Sequence, residues 1–198
     1  MEKTSRVSIG VFGLALTLLA FSSSANAAPI LQQLSPHSLT YIEFTHFDVM
    51  DYSAMADVTA AVSAVDITST SGCEAADFSG FPSGNIALLL RTPIAQGGCT
   101  FEQKAENAAA AGASGVLIMN NQVGVLIGTL GEDYTGGIPV FGISLELGFD
   151  LLDVTNGLTM RMFNDQPIPG VPEPAMLWLV ASGVVLTARR RRRIAHKG

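Results

Sequence analysis

The stretch NIALLLRTPIAQGGCTFEQKAENAAAAGASGVLIMNN, residues 85–121, restricts the fold more than any other part of the chain. It opens with an apolar run of strand length that ends at Arg91. Thr100 and Gln103 then form a capping box, in which a hydroxyl accepts from the amide three residues on, so a helix is predicted from Phe101. Glu102 in its first turn suits the positive end of the helix dipole. Phe101, Ala105, Ala108 and Ala109 give a face of small side chains that permits close approach to a sheet, and Gly112 stops the helix. Lys104, alone on this alanine-rich segment, reads as a solvated partner of Glu102 or Glu106. After Gly115 the run VLIM has the length and composition of a buried strand. Two strands joined through a helix can pair in parallel, with a right-handed crossover.

A second unit follows the same logic. Ile138 to Ile143 is a short apolar strand, entered through Gly136-Gly137, with Pro139 near its start where a missing N–H is tolerated. Ser144 can cap a helix through LELGFDLLDV, in which Leu145, Phe149 and Leu152 fall at helical spacing. Asn156-Gly157 ends it, and LTMRMF returns as a strand with Arg161 on the outer face. Upstream, the alternation in VTAAVSAVDI indicates a strand, and SGCEAADFSGFPSG is turn-forming. These elements amount to one mixed α/β domain, and the chain shows neither internal repeats nor a low-complexity block between halves.

The two ends read differently. Lys3 and Arg6 precede an apolar run from Val7 to Phe21, and Ala25-Asn26-Ala27 supplies an A-x-A site, so residues 1–27 have the form of a signal peptide whose removal by signal peptidase leaves Ala28 first. At the other end Val171, Pro172, Glu173 and Pro174 precede an uncharged run, Ala175 to Ala188, and then Arg189, Arg190, Arg191, Arg192 and Arg193. The run is ~14 residues and ~21 Å as a helix, short of the ~30 Å hydrocarbon core. The expectation is a C-terminal transmembrane helix over 175–188, a basic cytoplasmic tail over 189–198, and contact with the inner membrane through that helix. Trp178 suits a membrane interface.

Between these ends the cations are Arg91, Lys104 and Arg161. Only Glu2 and Glu173 of the chain's 17 acidic residues lie outside, which leaves 15 and a net charge of −12 from Ala28 to Gly170. Such a surface repels phosphate backbones, so nucleic acid is not an expected partner. The two cysteines, Cys73 and Cys99, form an even pair in an exported chain and are expected to be joined, with buried free thiols as the alternative.

Catalytic constellations are sparse. The body holds His37 and His46, and lacks G-x-S-x-G, H-E-x-x-H and a phosphate-binding glycine loop. His37, Glu43, His46, Asp48 and Asp51 cluster in HSLTYIEFTHFDVMD and are types that bind zinc or calcium, but without a fixed i, i+4 pair the segment reads as a solvated loop or edge strand. Ser144 stands between a strand and a helix, yet G-I-S-L-E lacks the second glycine of a nucleophile elbow, and the residue reads as a helix cap. No catalytic residue, metal ligand or cofactor is assigned.

The runs NIALLLR, GGCTFEQKAENAAAAGASGVLIMNN and IPVFGISLELGFDLL resemble the protease-associated (PA) domain, a module that accompanies secreted subtilisin-like proteases and zinc-dependent aminopeptidases. The resemblance extends upstream through DVTAAVSAVDITSTSGCEAADFSGFPSGN, and the spacing of Phe101, Lys104, Asn107, Ala108, Gly112 and Ala113 carries it. It implies a swivelling β/β/α fold, a partly open barrel flanked by two helices, over residues 57–165, preceded by a strand and loop segment over 28–56. One departure stands out: TPIAQ separates Arg91 from Gly97, where the family runs Arg-Gly-x-Cys. The tail, with a Pro-rich linker over 166–174, resembles the PEP-CTERM sorting signal of Gram-negative bacteria that make exopolysaccharide, which implies an exosortase as processing partner. The expected function is thus a non-catalytic protein of the cell surface or extracellular matrix, a stand-alone PA domain binding protein or polysaccharide. The alternative is an accessory module that recruits or regulates a separate secreted peptidase.

Overall fold

The computed structural model describes residues 27–67, 71–154 and 157–165. Ala25, the sorting motif Val171 to Pro174, the apolar run 175–188 and the arginines 189–193 all lie outside the described residues. Among those described, no helix is long and apolar enough to cross a membrane.

Among the described residues eight strands form one sheet: β1 (Ile30–Ser35), β2 (Leu39–Thr40), β3 (Phe47–Val49), β4 (Ala56–Ala64), β5 (Ile86–Leu90), β6 (Gly115–Met119), β7 (Val140–Ile143) and β8 (Thr159–Asn164). Their order across the sheet is β2-β1-β8-β4-β5-β6-β7-β3. The run β4 to β7 is parallel, and every other pairing is antiparallel. Helix α1 (Phe101–Ala110) joins β5 to β6, as the capped unit requires. Helix α2 (Leu145–Asp153) follows β7.

Alternation along the central strands explains the layers. Leu88, Leu117, Met119, Phe141 and Ile143 point to one face, where they share a core with Leu31, Met160 and Met162 from the far wing and with Leu147 and Leu151 of α2. Residues of β1 and β8 can meet those of β5 to β7 only if the sheet curls, so it wraps as a half-barrel around α2. Ala87, Leu89, Val116, Ile118 and Val140 point to the opposite face and pack on Ala105 and Ala108 of α1.

The second unit departs from the first in its return. Strand β8 does not settle beside β7; it crosses to lie between β1 and β4, antiparallel to both. Because α2 lies inside the curl, its C-terminal end meets the opposite wing, where Leu152, Val154 and Leu158 join the inner core. The buried face of α2 is also rotated from the expected one. Leu147, Gly148 and Leu151 are buried, Leu145 and Leu152 flank them, and Phe149 is exposed. Gly148 sets this orientation, since a Cβ there would stand 2.6 Å from the Met119 Cβ. Arg161 does face outward, between the buried Met160 and Met162, and pairs with Asp57 at 2.8 Å.

Candidate functional site

Helix α1 and the loop before β5 form the most constrained part of the surface. Thr100 Oγ1 accepts from the Gln103 amide at 3.1 Å, closing the first turn. Cys99, just before the cap, is bonded to Cys73 with the two Cα atoms 5.6 Å apart, so the expected disulfide is present. Three side chains of α1 then take three successive carbonyls of the facing loop. Gln103 Nε2 donates to the Cys73 carbonyl at 3.1 Å and Asn107 Nδ2 to that of Gly72 at 3.1 Å. Lys104 Nζ donates to that of Ser71.

This placement corrects the reading of Lys104 as a solvated partner of Glu102 or Glu106: the residue is fully buried. Its position explains why. Phe101, Lys104, Ala105 and Ala108 follow the i, i+3, i+4, i+7 stripe that faces the sheet, so the alkyl stem packs in the core and the amine ends on a carbonyl. Burial pushes its pKa down from 10.5 to about 8, an effect partly opposed by the Asp77 carboxylate. Ser71 is held from its other side as well: its hydroxyl donates to the Val65 carbonyl and accepts from the Leu90 amide, each at 2.9 Å. Residues 71–73 are therefore tied to helix α1 and to β5 at once.

Next to it lie the segments that leave the C-terminal ends of β5 and β6, where parallel sheets commonly present ligand sites. The Arg91 amide donates to the Met119 carbonyl at 2.8 Å, and its Nη1 reaches Asn120 Oδ1 at 3.0 Å. Asn120 is buried and donates onward to the Gly124 carbonyl at 3.0 Å. The TPIAQ insertion forms a single 3-10 turn, Ile94–Gln96, that holds Ile94 in solvent beside this pair of loops. Two clefts border β4. A polar one of about 420 Å³ is lined by Ser63, Asp66, Asp77, Ser79 and Phe81, and a more apolar one of about 240 Å³ by Val62, Leu88, Leu151 and Leu158.

The remaining residues singled out in the sequence separate. His46 Nδ1 accepts from the Ile42 amide at 3.1 Å and so braces the turn before β3, while His37 is exposed. Asp48 lies on β3, its pKa raised by burial and by the charge of Asp51; Glu43 is raised by burial and by Asp48. Among the described residues no group of three or more His, Cys, Asp or Glu stands ready to hold a metal ion. Ser144 Oγ accepts from the Leu147 amide at 3.1 Å, which makes it the helix cap. Ala27 and Ala28 open the described body, and the Ala27 amide donates to Asp165 at 2.7 Å, so both ends of the body meet at one corner. The carbonyls of residues 71–73 are taken by α1, which leaves the exposed Ile94 beside the Arg91–Asn120 pair and the two clefts along β4 as the features open to a ligand.

Residues 57–151 match the PA domain family, and this segment is a PA domain. An aminopeptidase of Pseudomonas aeruginosa (strain UCBPP-PA14) is 47% identical over 124 residues, which cover 57% of this chain and 22% of that protein. A probable leucine aminopeptidase 2 of Aspergillus fumigatus is 35% identical over 114 residues, 56% of this chain and 21% of that one. Among solved structures, the aminopeptidase from Aneurinibacillus sp. strain AM-1 superposes with a TM-score of 0.56 at 27% identity, over 71% of this chain and 31% of that chain. BSAP, a zinc aminopeptidase from Bacillus subtilis, does so with a TM-score of 0.50 at 27% identity, over 70% and 31%. The chain therefore spans about a fifth of the length of the curated relatives it matches. These relatives overturn the expectation of a stand-alone binder of surface protein or polysaccharide, because the same domain recurs as part of aminopeptidases.

Proposed function

We propose that the chain is an exported accessory module that recruits or restrains a peptidase of the aminopeptidase class. The observation that supports this reading is the 47% identity to a bacterial aminopeptidase across the stretch that builds the PA domain. The α1 unit and the loops after β5 and β6 would supply contacts, with the chemistry resting on the partner. Capture from the secreted fraction of the native host, with the full-length protein as bait, should enrich an aminopeptidase whose turnover of an aminoacyl substrate changes when the purified module is added. Capture that yields no peptidase, or a peptidase whose kinetics stay unchanged, defeats the reading.

The processing scheme belongs to the same proposal. Signal peptidase would cut after Ala27, exosortase would act at Val171 to Pro174 while Arg189 to Arg193 hold the tail on the inner face of the inner membrane, and the product would reach the cell surface or matrix. The mature protein should then begin at Ala28 and lack the arginines by intact mass. Replacing Pro172, Glu173 and Pro174 by alanine should leave an uncut precursor in the inner membrane, and an unchanged mass and location would refute the sorting step.

A further inference from the structure

We propose that the edge of β4 between Asp57 and Ala61 is a docking site for an extended, basic peptide segment, which binds as an added strand. The starting point is an asymmetry in pairing. Residues Ala56 to Ala61 of β4 pair with β8 on one side, but on the other side β5 pairs only with Val62 to Ala64. The Val62 amide donates to the Leu158 carbonyl at 3.0 Å, and backbone groups alternate sides along a strand. Val58 and Ala60 therefore face β8. Asp57 and Thr59 turn their N–H and C=O, and Ala61 its N–H, toward the open side. Among the described residues no backbone hydrogen bond takes these groups, and Asp57, Thr59 and Ala61 are all exposed.

This opening lies inside the strand order, between β8-β4 and β5. The true ends of the sheet are short, two residues in β2 and three in β3, which is how natural sheets blunt an edge against unwanted pairing. The longer unpaired stretch is thus kept where an added strand would be bounded by the sheet itself. Such a strand would run in line with β5, and its side chains would alternate between the two faces. The two clefts along β4 begin only at Val62, so an added strand beside Asp57 to Ala61 would rest on the ladder itself rather than in either cleft. Charge selects the occupant. The body carries −12, and Arg161, the cation that faces Thr59 from β8, is already engaged by Asp57 through two bonds of 2.8 Å, so the overall field favours a basic segment over an acidic one.

The inference extends the accessory reading by giving a partner segment a place to bind, and its test requires no peptidase. The full-length protein is titrated with a blocked hexapeptide of alternating character, Lys-Val-Thr-Val-Lys-Val, and amide exchange is followed by NMR. The Asp57, Thr59 and Ala61 amides should gain protection, whereas those of Val58 and Ala60, already bonded to β8, should not change. A peptide methylated on alternate backbone nitrogens, and one with Glu in place of Lys, should each bind at least tenfold more weakly. Thr59→Pro removes an N–H that β8 does not use, so the fold should remain and binding should vanish. If that variant does not fold, the methylated peptide makes the same test on unaltered protein. Equal binding of the methylated peptide, or protection confined to other strands, overturns the proposal and leaves the peptidase reading standing. Conversely, failed peptidase capture with intact peptide binding removes the partner class and keeps the site.

Discussion

Helices α1 and α2 cover opposite faces of the same parallel strands and begin with the same device, a hydroxyl that accepts from the amide three residues on. Beyond that first turn they are held by different forces. Helix α2 buries Leu147 and Leu151 inside the curl, with Gly148 flush against Met119, and its attachment is apolar. Helix α1 presents little more than Ala105 and Ala108 to the sheet, and it is fixed by a disulfide at its start and by Gln103, Lys104 and Asn107 on three carbonyls. Apolar burial tolerates small shifts; hydrogen bonds to named carbonyls do not. The inner helix thus supplies stability, and the outer one supplies a surface of defined shape.

The largest expected effect is on the inner helix. Leu151→Ala removes a side chain that is only 2% exposed, between both wings of the sheet, and should cost about 2–5 kcal/mol in urea unfolding. Opening the disulfide by Cys73→Ser with Cys99→Ser should cost about 3 kcal/mol on the chain-entropy account, since the bond closes a loop across 26 residues. If the disulfide loss proves the greater, the division between a stabilising inner helix and a shaped outer one is wrong.

Lys104 sharpens the comparison through pH. Its pKa falls from 10.5 to about 8 on folding, so between these values the unfolded chain holds a proton that the native state has released, and stability from this group rises with pH across that window. Tyr41 and Tyr134 act in the opposite sense above pH 10, since burial raises both, Tyr134 to about 12. The diagnostic is therefore the difference between wild type and Lys104→Met. It should change in favour of the wild type from pH 8 to 10 and be flat below pH 7; a flat difference throughout would mean that the amine is solvated after all.

Much of the frame was legible because it rests on local rules. The two N-caps, the apolar runs of β5 and β6 and the even cysteine pair depend on near neighbours or on the cysteine count, and each appears as read, except that Gln103 sends its side chain to the Cys73 carbonyl and leaves the capping box half formed. The orientation of α2 was not legible. Phe149 fits a helical stripe as well as Leu147 does, and only the close approach of Gly148 to Met119 decides between them. Lys104 had a usable signal, since it occupies the buried stripe with Ala105 and Ala108, but a charge at such a position reads as solvated until its carbonyl acceptor is seen. The open edge of β4 had none. Which strands pair is a property of the curl, and neither VTAAVSAVDI nor NIALLLR reveals that they overlap by only three residues.

The smallest expected effect tests the feature that the two helices share. Thr100→Ala and Ser144→Ala each remove one capping oxygen, a change of about 0.5–2 kcal/mol in general. Their surroundings separate them. Ser144 is 3% exposed, so its loss leaves the Leu147 amide without an acceptor in the core, and the cost should approach the upper figure. Thr100 is exposed, water can replace its hydroxyl on the Gln103 amide, and the cost should lie near the lower one. Thr100 also follows Cys99 directly, so the disulfide already fixes the residue that enters the cap. Thr100→Ala should therefore cost more when the disulfide is absent, a coupling readable by a double-mutant cycle in thermal unfolding. Strict additivity would show that bond and cap act separately, and that α1 owes its placement to the three carbonyl contacts alone.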